Sequence, residues 1–293
     1  LQQVAQGRYF TIALRQVFAL WRRNVRCYYC NPHPDKSGSH FRFHGHKKEY
    51  PGTQSGSHVL SQGEEGMSHG IFITLEGIDG TGKSTHARRL AAYLRKRGIA
   101  AVATREPGGT KVGEQIRRLL LDPKITRLSS LAELTLMYAA REQHLEEVVR
   151  PALARGQVVI SDRYNDASFA YQGYGRMLGS QTVREMDRII CGRTQPELTL
   201  LLDLEPQLAL NRARKRNKRQ RVKNTRFENN GLKFQQRVRM GYLALARQQP
   251  RRIKLIQADR PIAEIEAEIR KIVDPLLARR HVRVKSNGGA RRR

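Results

Sequence analysis

The chain has 293 residues, 55 Lys and Arg against 26 Asp and Glu, and a net charge of +29, a surplus that favours anionic partners such as nucleotides or nucleic acid. Its length suits one large domain or two small ones. Three cysteines (Cys27, Cys30 and Cys191) form no disulfide framework and fit a cytoplasmic setting, and no apolar run approaches membrane-spanning length.

Residues 1–66 lack a sustained strand or helix alternation and contain the packing-averse stretches "SGSH" and "PGTQSGSH". Cys27-x-x-Cys30 with His40 and His44 offers zinc-binding residue types, but the Cys30–His40 interval is short for a zinc finger and few apolar residues surround it. The acid-poor start matches a targeting presequence weakly. Met67 stands just before the first strand candidate and after "GEEG", whose codons are necessarily purine-rich, as a ribosome-binding site would be. The expectation is that residues 1–66 are a non-native or disordered extension and that Met67 begins the functional chain.

From Met67 the pattern is alternating. Apolar strands are predicted at 71–76, 100–104, 157–161, 198–204 and 253–257, with helical stretches between them. Short β-rich runs separated by helices imply a five-stranded parallel sheet with helices on both faces. One α/β domain over 67–278 follows, then a basic, solvated tail at 279–293.

Directly after the strand "IFITLE" comes "GIDGTGKST", residues 77–85. Gly77, Gly82, Lys83 and Ser84 satisfy G-x-x-x-x-G-K-[ST], the P-loop of nucleoside triphosphatases. Glycines such as Gly77, Gly80 and Gly82 let the backbone N–H groups of the loop, through Asp79, Thr81 and Thr85, converge on phosphate oxygens at a helix N-terminus. Lys83 adds a cation toward the terminal phosphates, and the Ser84 hydroxyl is placed for Mg²⁺. Ala87, Leu90, Ala91 and Leu94 then follow helical spacing, with Gly98 as the stop.

"VVISDRY" ends the third strand at Asp162. A carboxylate at the carboxyl end of such a strand lies in the ligand crevice and can hold Mg²⁺; alternatively it caps the following helix. Arg163 beside it can clamp an anion bidentately. In the next helix Ser168, Tyr171 and Gln172 share one face at i, i+3 and i+4, where a carboxamide suits a nucleobase edge, or the face is simply polar. Met137 and Arg141, four apart, also face one way, although a lone Met is most often core.

"FITLEGIDGTGKST", "TREPGGT", "EQIRRLLLD", "MYAAREQHL", "SDRYNDASFAYQGYGR" and "PELTLLLDL" together resemble the successive motifs of bacterial thymidylate kinase, from about Met67 to Val273. The resemblance implies a P-loop fold that phosphorylates dTMP to dTDP with ATP and Mg²⁺, in dTTP biosynthesis, as a cytoplasmic homodimer. It implies ATP phosphates on Lys83 and the loop amides, with Mg²⁺ near Ser84, Asp162 and Glu106. Arg105, Arg117 and Arg163 would hold the acceptor phosphate, and Asp79 would approach the acceptor. Arg141, Ser168 and Gln172 would read the thymine edge, Tyr171 would crowd the sugar's 2′ position, and Met137 replaces the aromatic ring that usually stacks on thymine.

The run from Arg212 to Arg226 holds nine basic residues and no acidic one. By resemblance it is a basic lid, about 212–229, opened by "RARKR" with Arg216 as the catalytic arginine and closed by "RFE" at Arg226. This lid is longer than usual, and Thr225 stands where the family has an acid. The P-loop has no arginine of its own, so a cation for the transferring phosphoryl must come from elsewhere. The acceptor is already an ionised phosphate and needs no general base. The alternatives are a kinase for another nucleoside monophosphate and a P-loop protein with added nucleic-acid binding; the basic run lacks the interleaved aromatics that would favour nucleic acid.

Overall fold

The computed structural model describes residues 70–220, 226–227 and 230–280. The expectations for residues 1–66, for the Cys27, Cys30, His40 and His44 set, for Met67, for Thr225 and for the tail beyond Arg280 lie outside them.

The described chain alternates strand and helix as its hydrophobic pattern dictates. Strands are β1 (Ile71–Glu76), β2 (Ala101–Arg105), β3 (Val158–Asp162), β4 (Leu198–Asp203) and β5 (Ile253–Gln257). Each lies within about one residue of its predicted span. All pair in parallel in the order β2-β3-β1-β4-β5. Helices are α1 (Lys83–Lys96), α2 (Lys111–Leu121), α3 (Ser130–His144), α4 (Arg150–Ala154), α5 (Asn165–Ser168), α6 (Ser180–Ile190), α7 (Pro206–Gln220), α8 (Gly231–Gln248) and α9 (Ile262–Arg279). π-helical turns at Leu145–Val149 and Phe169–Gly175 follow α3 and α5.

Burial explains the strand sequences. β1 and β4 are buried at every position, so both faces must be apolar, whereas the edge strands β2 and β5 are only partly covered. One apolar cluster joins α1, α8 and α9 to the sheet, and a second gathers Phe72, Val159 and Tyr164 with residues of α3 and α6. After β1 the chain builds first on one side, through β2 and β3, and then on the other, through β4 and β5. The carboxyl end of β1 is therefore the switch point where a ligand crevice opens. Glu76, Arg105, Asp162 and Asp203 each end a strand there.

Polar residues inside the sheet are paired. Thr74 and Thr199, opposite each other on β1 and β4, share a hydrogen bond of 2.8 Å. The Thr199 hydroxyl donates to Asp166 Oδ2 at 3.0 Å, and Arg252 grips both Asp166 oxygens at 2.7 Å. This network ties α5 to the sheet directly behind the crevice. Asp166→Ala leaves Arg252 without its carboxylate and is expected to lower unfolding free energy by about 3 kcal/mol in urea denaturation. A loss below about 1 kcal/mol would mean that solvent satisfies Arg252 instead.

Candidate active site

The P-loop is pressed against its neighbours. A Cβ at Gly77 (φ 134°) would lie 2.3 Å from the Leu202 carbonyl oxygen, and one at Gly80 (φ 92°) 2.1 Å from that of Ala209. Both positions require glycine by conformation and by space. Inside the loop, Thr81 Oγ1 and Lys83 Nζ donate to the Ile78 carbonyl at 3.0 and 2.8 Å. Lys83 opens α1, its ammonium buried; burial and then the charge of Arg163 push it down to about 8.

Across the loop, the Ser84 hydroxyl donates to Asp162 Oδ2. Asp162 therefore does not cap α5, whose N-cap is Tyr164 without a side-chain bond. A hydroxyl and a carboxylate oxygen side by side are a hard-oxygen pair that suits Mg²⁺, which takes few protein ligands and completes its shell with phosphate and water. Among the described residues no cluster of three or more His, Cys, Asp or Glu could hold a metal. Glu106, expected near that ion, is otherwise engaged. Its Oε2 accepts from Arg141 Nε at 2.7 Å and its Oε1 meets His144 Nδ1 at 2.8 Å. Burial raises its carboxyl, but Arg141 and His144 more than offset this and hold it below the usual range.

Arg163 departs furthest from expectation. Its backbone has φ 75°, unusual for a non-glycine residue. Nη1 donates to the Gly77 carbonyl and the Tyr242 hydroxyl, both at 2.9 Å. Nη2 donates to Asp79 Oδ1 at 2.9 Å and to the Tyr171 hydroxyl at 2.8 Å. All four terminal N–H groups are thus committed within the protein, and the bidentate grip on an anion expected of Arg163 is not available in this arrangement. Burial raises the Asp79 carboxyl, yet Arg163, Lys83 and Arg216 hold it well below the usual range. Of the other predicted phosphate ligands, Arg105 pairs with Glu114 at 2.9 Å, and Arg117 donates to the Pro107 carbonyl at 2.8 Å.

The far end of the crevice is a buried polar floor. Arg141 lies over the Tyr138 ring at 4.5 Å and donates to Ser168 Oγ at 3.1 Å and the Tyr164 carbonyl at 2.9 Å. Gln172 donates to Glu133 at 2.8 Å. Tyr171 packs edge-on against Phe227.

One cavity of about 1070 Å³ unites these groups, at the upper end for a single small ligand and ample for two phosphorylated ones. Of the predicted site residues only Gly77 and Thr81 do not line it; Met137, Arg141, Ser168, Tyr171 and Gln172 share it with Lys83, Ser84 and Asp162. The first part of the basic run, through Gln220, is helical and continues α7. Arg212, Arg216 and Asn217 line the cavity, while Arg214 and Arg219 are exposed and do not.

Sequence reasoning missed several residues. Glu76 accepts from Tyr164 N and Tyr242 Oη, each at 2.7 Å; burial and then Asp166 push its carboxyl up to about 7. An acid ending a strand that is otherwise apolar but for Thr74 was the available signal. Tyr242 and Glu133 sit on ordinary-looking helices and carried none.

A family model described as thymidylate kinase matches residues 75–269. Thymidylate kinase of Pseudomonas savastanoi pv. phaseolicola is 46% identical over 208 residues, 71% of this chain and 97% of the relative. That of Desulfovibrio desulfuricans is 45% identical over 212 residues, 72% of this chain and 98% of the relative. The crystal structure of thymidylate kinase from Ehrlichia chaffeensis superposes with a TM-score of 0.56 at 31% identity, covering 70% of this chain and 98% of that one. With the P-loop, the parallel sheet and the arginine-lined cavity, these likenesses place the chain in the thymidylate kinase family.

Proposed function

We infer that this chain transfers the γ-phosphoryl group of ATP to dTMP, giving dTDP and ADP. The observation that carries the reading is the cavity in which P-loop residues and the buried polar groups Arg141, Ser168 and Gln172 meet. Lys83 and the loop amides hold the donor phosphates. Ser84 and Asp162 hold Mg²⁺, which when bound neutralises phosphate charge. Arg105 and Arg117 take the acceptor phosphate, for which Arg105 gives up Glu114. Arg163 holds the P-loop, Asp79 and Tyr171 in fixed relation, and Glu106 orients Arg141 rather than the metal. Arg141, Ser168 and Gln172 meet the thymine edge, Met137 packs against the ring, and Tyr171 crowds the 2′ position.

Residues 67–278 form the kinase unit in this reading, and the family resemblance adds a homodimer, which light scattering tests.

Acceptor choice is the first test. With ATP as donor, dTMP is expected to outperform dCMP, dGMP and UMP in a coupled ADP-release assay, equally for the full chain and for one beginning at Met67. Equal turnover of dGMP would reject the assignment, and a loss of activity on shortening would put residues before Met67 in the working enzyme.

The second test concerns Lys83. Bound phosphate favours the charged ammonium, so binding above its free-state pKa of about 8 takes up a proton. ATP affinity is expected to be level below that pH and to fall about tenfold per pH unit above it. Titrations showing the same break in Lys83→Met would assign it to another group.

The third concerns Arg216, which faces the cavity and acts on Asp79 through its charge. A cation placed against the transferring phosphoryl acts mainly in the transition state. Arg216→Ala is expected to lower kcat by about 10³-fold with little change in KM for dTMP. Arg214→Ala and Arg219→Ala, outside the cavity, are expected to stay near wild type. The opposite pattern would move the role along α7.

A further inference from the structure

Glu133 on α3 is wholly buried beside the polar floor. Its Oε1 accepts from Gln172 Nε2 at 2.8 Å and from Arg176 Nε at 3.1 Å. Its Oε2 accepts from Arg176 Nη2 at 3.0 Å and pairs with Arg226 Nη2 at 2.8 Å. Arg176 is itself fixed, over the Phe234 ring at 4.7 Å and donating to Asn230 at 2.8 Å. None of these groups belongs to the phosphate end of the site, and phosphoryl transfer gives no reason for a buried carboxylate here.

The consequence for Gln172 is directional. A carboxamide is almost symmetric in shape, but one end donates and the other accepts. A carboxylate only accepts. Gln172 must therefore turn its NH₂ to Glu133, which directs its carbonyl oxygen away from Glu133, at a residue that lines the cavity. The two arginines hold Glu133 from its other side, so the carboxylate cannot swing aside to let the amide reverse.

We propose that Glu133 is a positioning residue that sets the choice among pyrimidines by locking the orientation of the Gln172 amide. The inference rests on the reading that Gln172 meets the acceptor's ring. A presented carbonyl oxygen accepts the N3–H of thymine or uracil. Cytosine carries a lone pair at N3, so two acceptors would face each other and the buried pair would go unmade. An amide free to reverse would offer its NH₂ to cytosine and remove that penalty. Glu133 thereby excludes cytosine without touching it.

The test compares kcat/KM for dTMP, dCMP and dUMP in the full-length protein and in Glu133→Gln, whose amide can donate or accept and so releases the lock. The dTMP:dCMP ratio is expected to fall about tenfold or more, while dTMP:dUMP stays within about twofold because both rings carry N3–H. Ratios taken on one preparation cancel the fraction of folded enzyme. In a Gln172→Ala background, Glu133→Gln is expected to change neither ratio further, since nothing remains to orient. An unchanged dTMP:dCMP ratio in the single variant, or both ratios moving together, overturns the proposal. A wild-type enzyme without preference for dTMP over dCMP overturns instead the reading of Gln172 on which it rests. If Glu133→Gln is insoluble, the exchange Glu133→Gln with Gln172→Glu keeps one carboxylate in the buried pair and an acceptor at position 172. It is expected to retain the dTMP:dCMP preference, and a collapsed ratio there overturns the proposal.

Discussion

The geometry of the crevice depends on one guanidinium. Arg163 follows β3 with φ 75°, a conformation that a non-glycine residue holds only when its surroundings over-determine it. The surroundings do so through four hydrogen bonds that reach the P-loop at Gly77 and Asp79, the π-helical turn at Tyr171 and α8 at Tyr242. Tyr242 in turn donates to Glu76 at the end of β1. One side chain thus locates the P-loop, the Tyr171 phenol and a distant helix relative to one another. The backbone strain at Arg163 is offset by those bonds, and charge at the centre is balanced by Asp79.

The same device recurs across the fold. Arg141 is held by Glu106, Arg176 and Arg226 by Glu133, Arg252 by Asp166 and Arg239 by Asp203. A long, flexible cation loses much entropy when it is ordered. Pairing it beforehand with a buried carboxylate moves that loss from ligand binding to folding. It also keeps many like charges from repelling one another in a site built for phosphates. The chain's large positive charge is only partly balanced in the crevice, where Arg105, Arg141 and Arg163 are held by carboxylates while Arg88, Arg117 and Arg212 donate to backbone carbonyls. Exposed helices carry much of it, such as the outer side of α7 with Arg214, Lys215, Lys218 and Arg219.

How much of this was readable in the sequence follows from the range of the interactions. The strands were legible because burial on both faces forces continuous apolar runs, as in β1 and β4. The P-loop was legible because contiguous backbone does its work and glycine is obligatory at Gly77 and Gly80. Motifs placed Lys83, Ser84, Asp162, Arg141, Ser168 and Gln172 in one cavity through local spacing and family resemblance. What stayed hidden was pairing across the fold. That Glu106 serves Arg141, 35 residues away, and that Arg163 is spent within the protein are long-range facts no local pattern records. The basic run was legible by its charge, whereas the helical continuity of its first part with α7 was not.

The turn after α5 shows a subtler limit. Spacing of i, i+3 and i+4 put Ser168, Tyr171 and Gln172 on one face of an α-helix, but the backbone widens to π-helical pairing, with Arg176 N donating to the Tyr171 carbonyl at 2.8 Å. The wider turn alters the angles between successive side chains. Tyr171 then aims at Arg163 and Asp79, Ser168 at Arg141, and Gln172 at Glu133. Three neighbouring residues so serve three different parts of the cavity. An unbroken α-helix would have aligned them as one stripe, adequate for packing but unable to address a phosphate-end brace, a buried arginine and an amide-orienting carboxylate at once. Widened helical turns are frequent at functional sites, and here the widening divides one short motif among separate parts of the cavity.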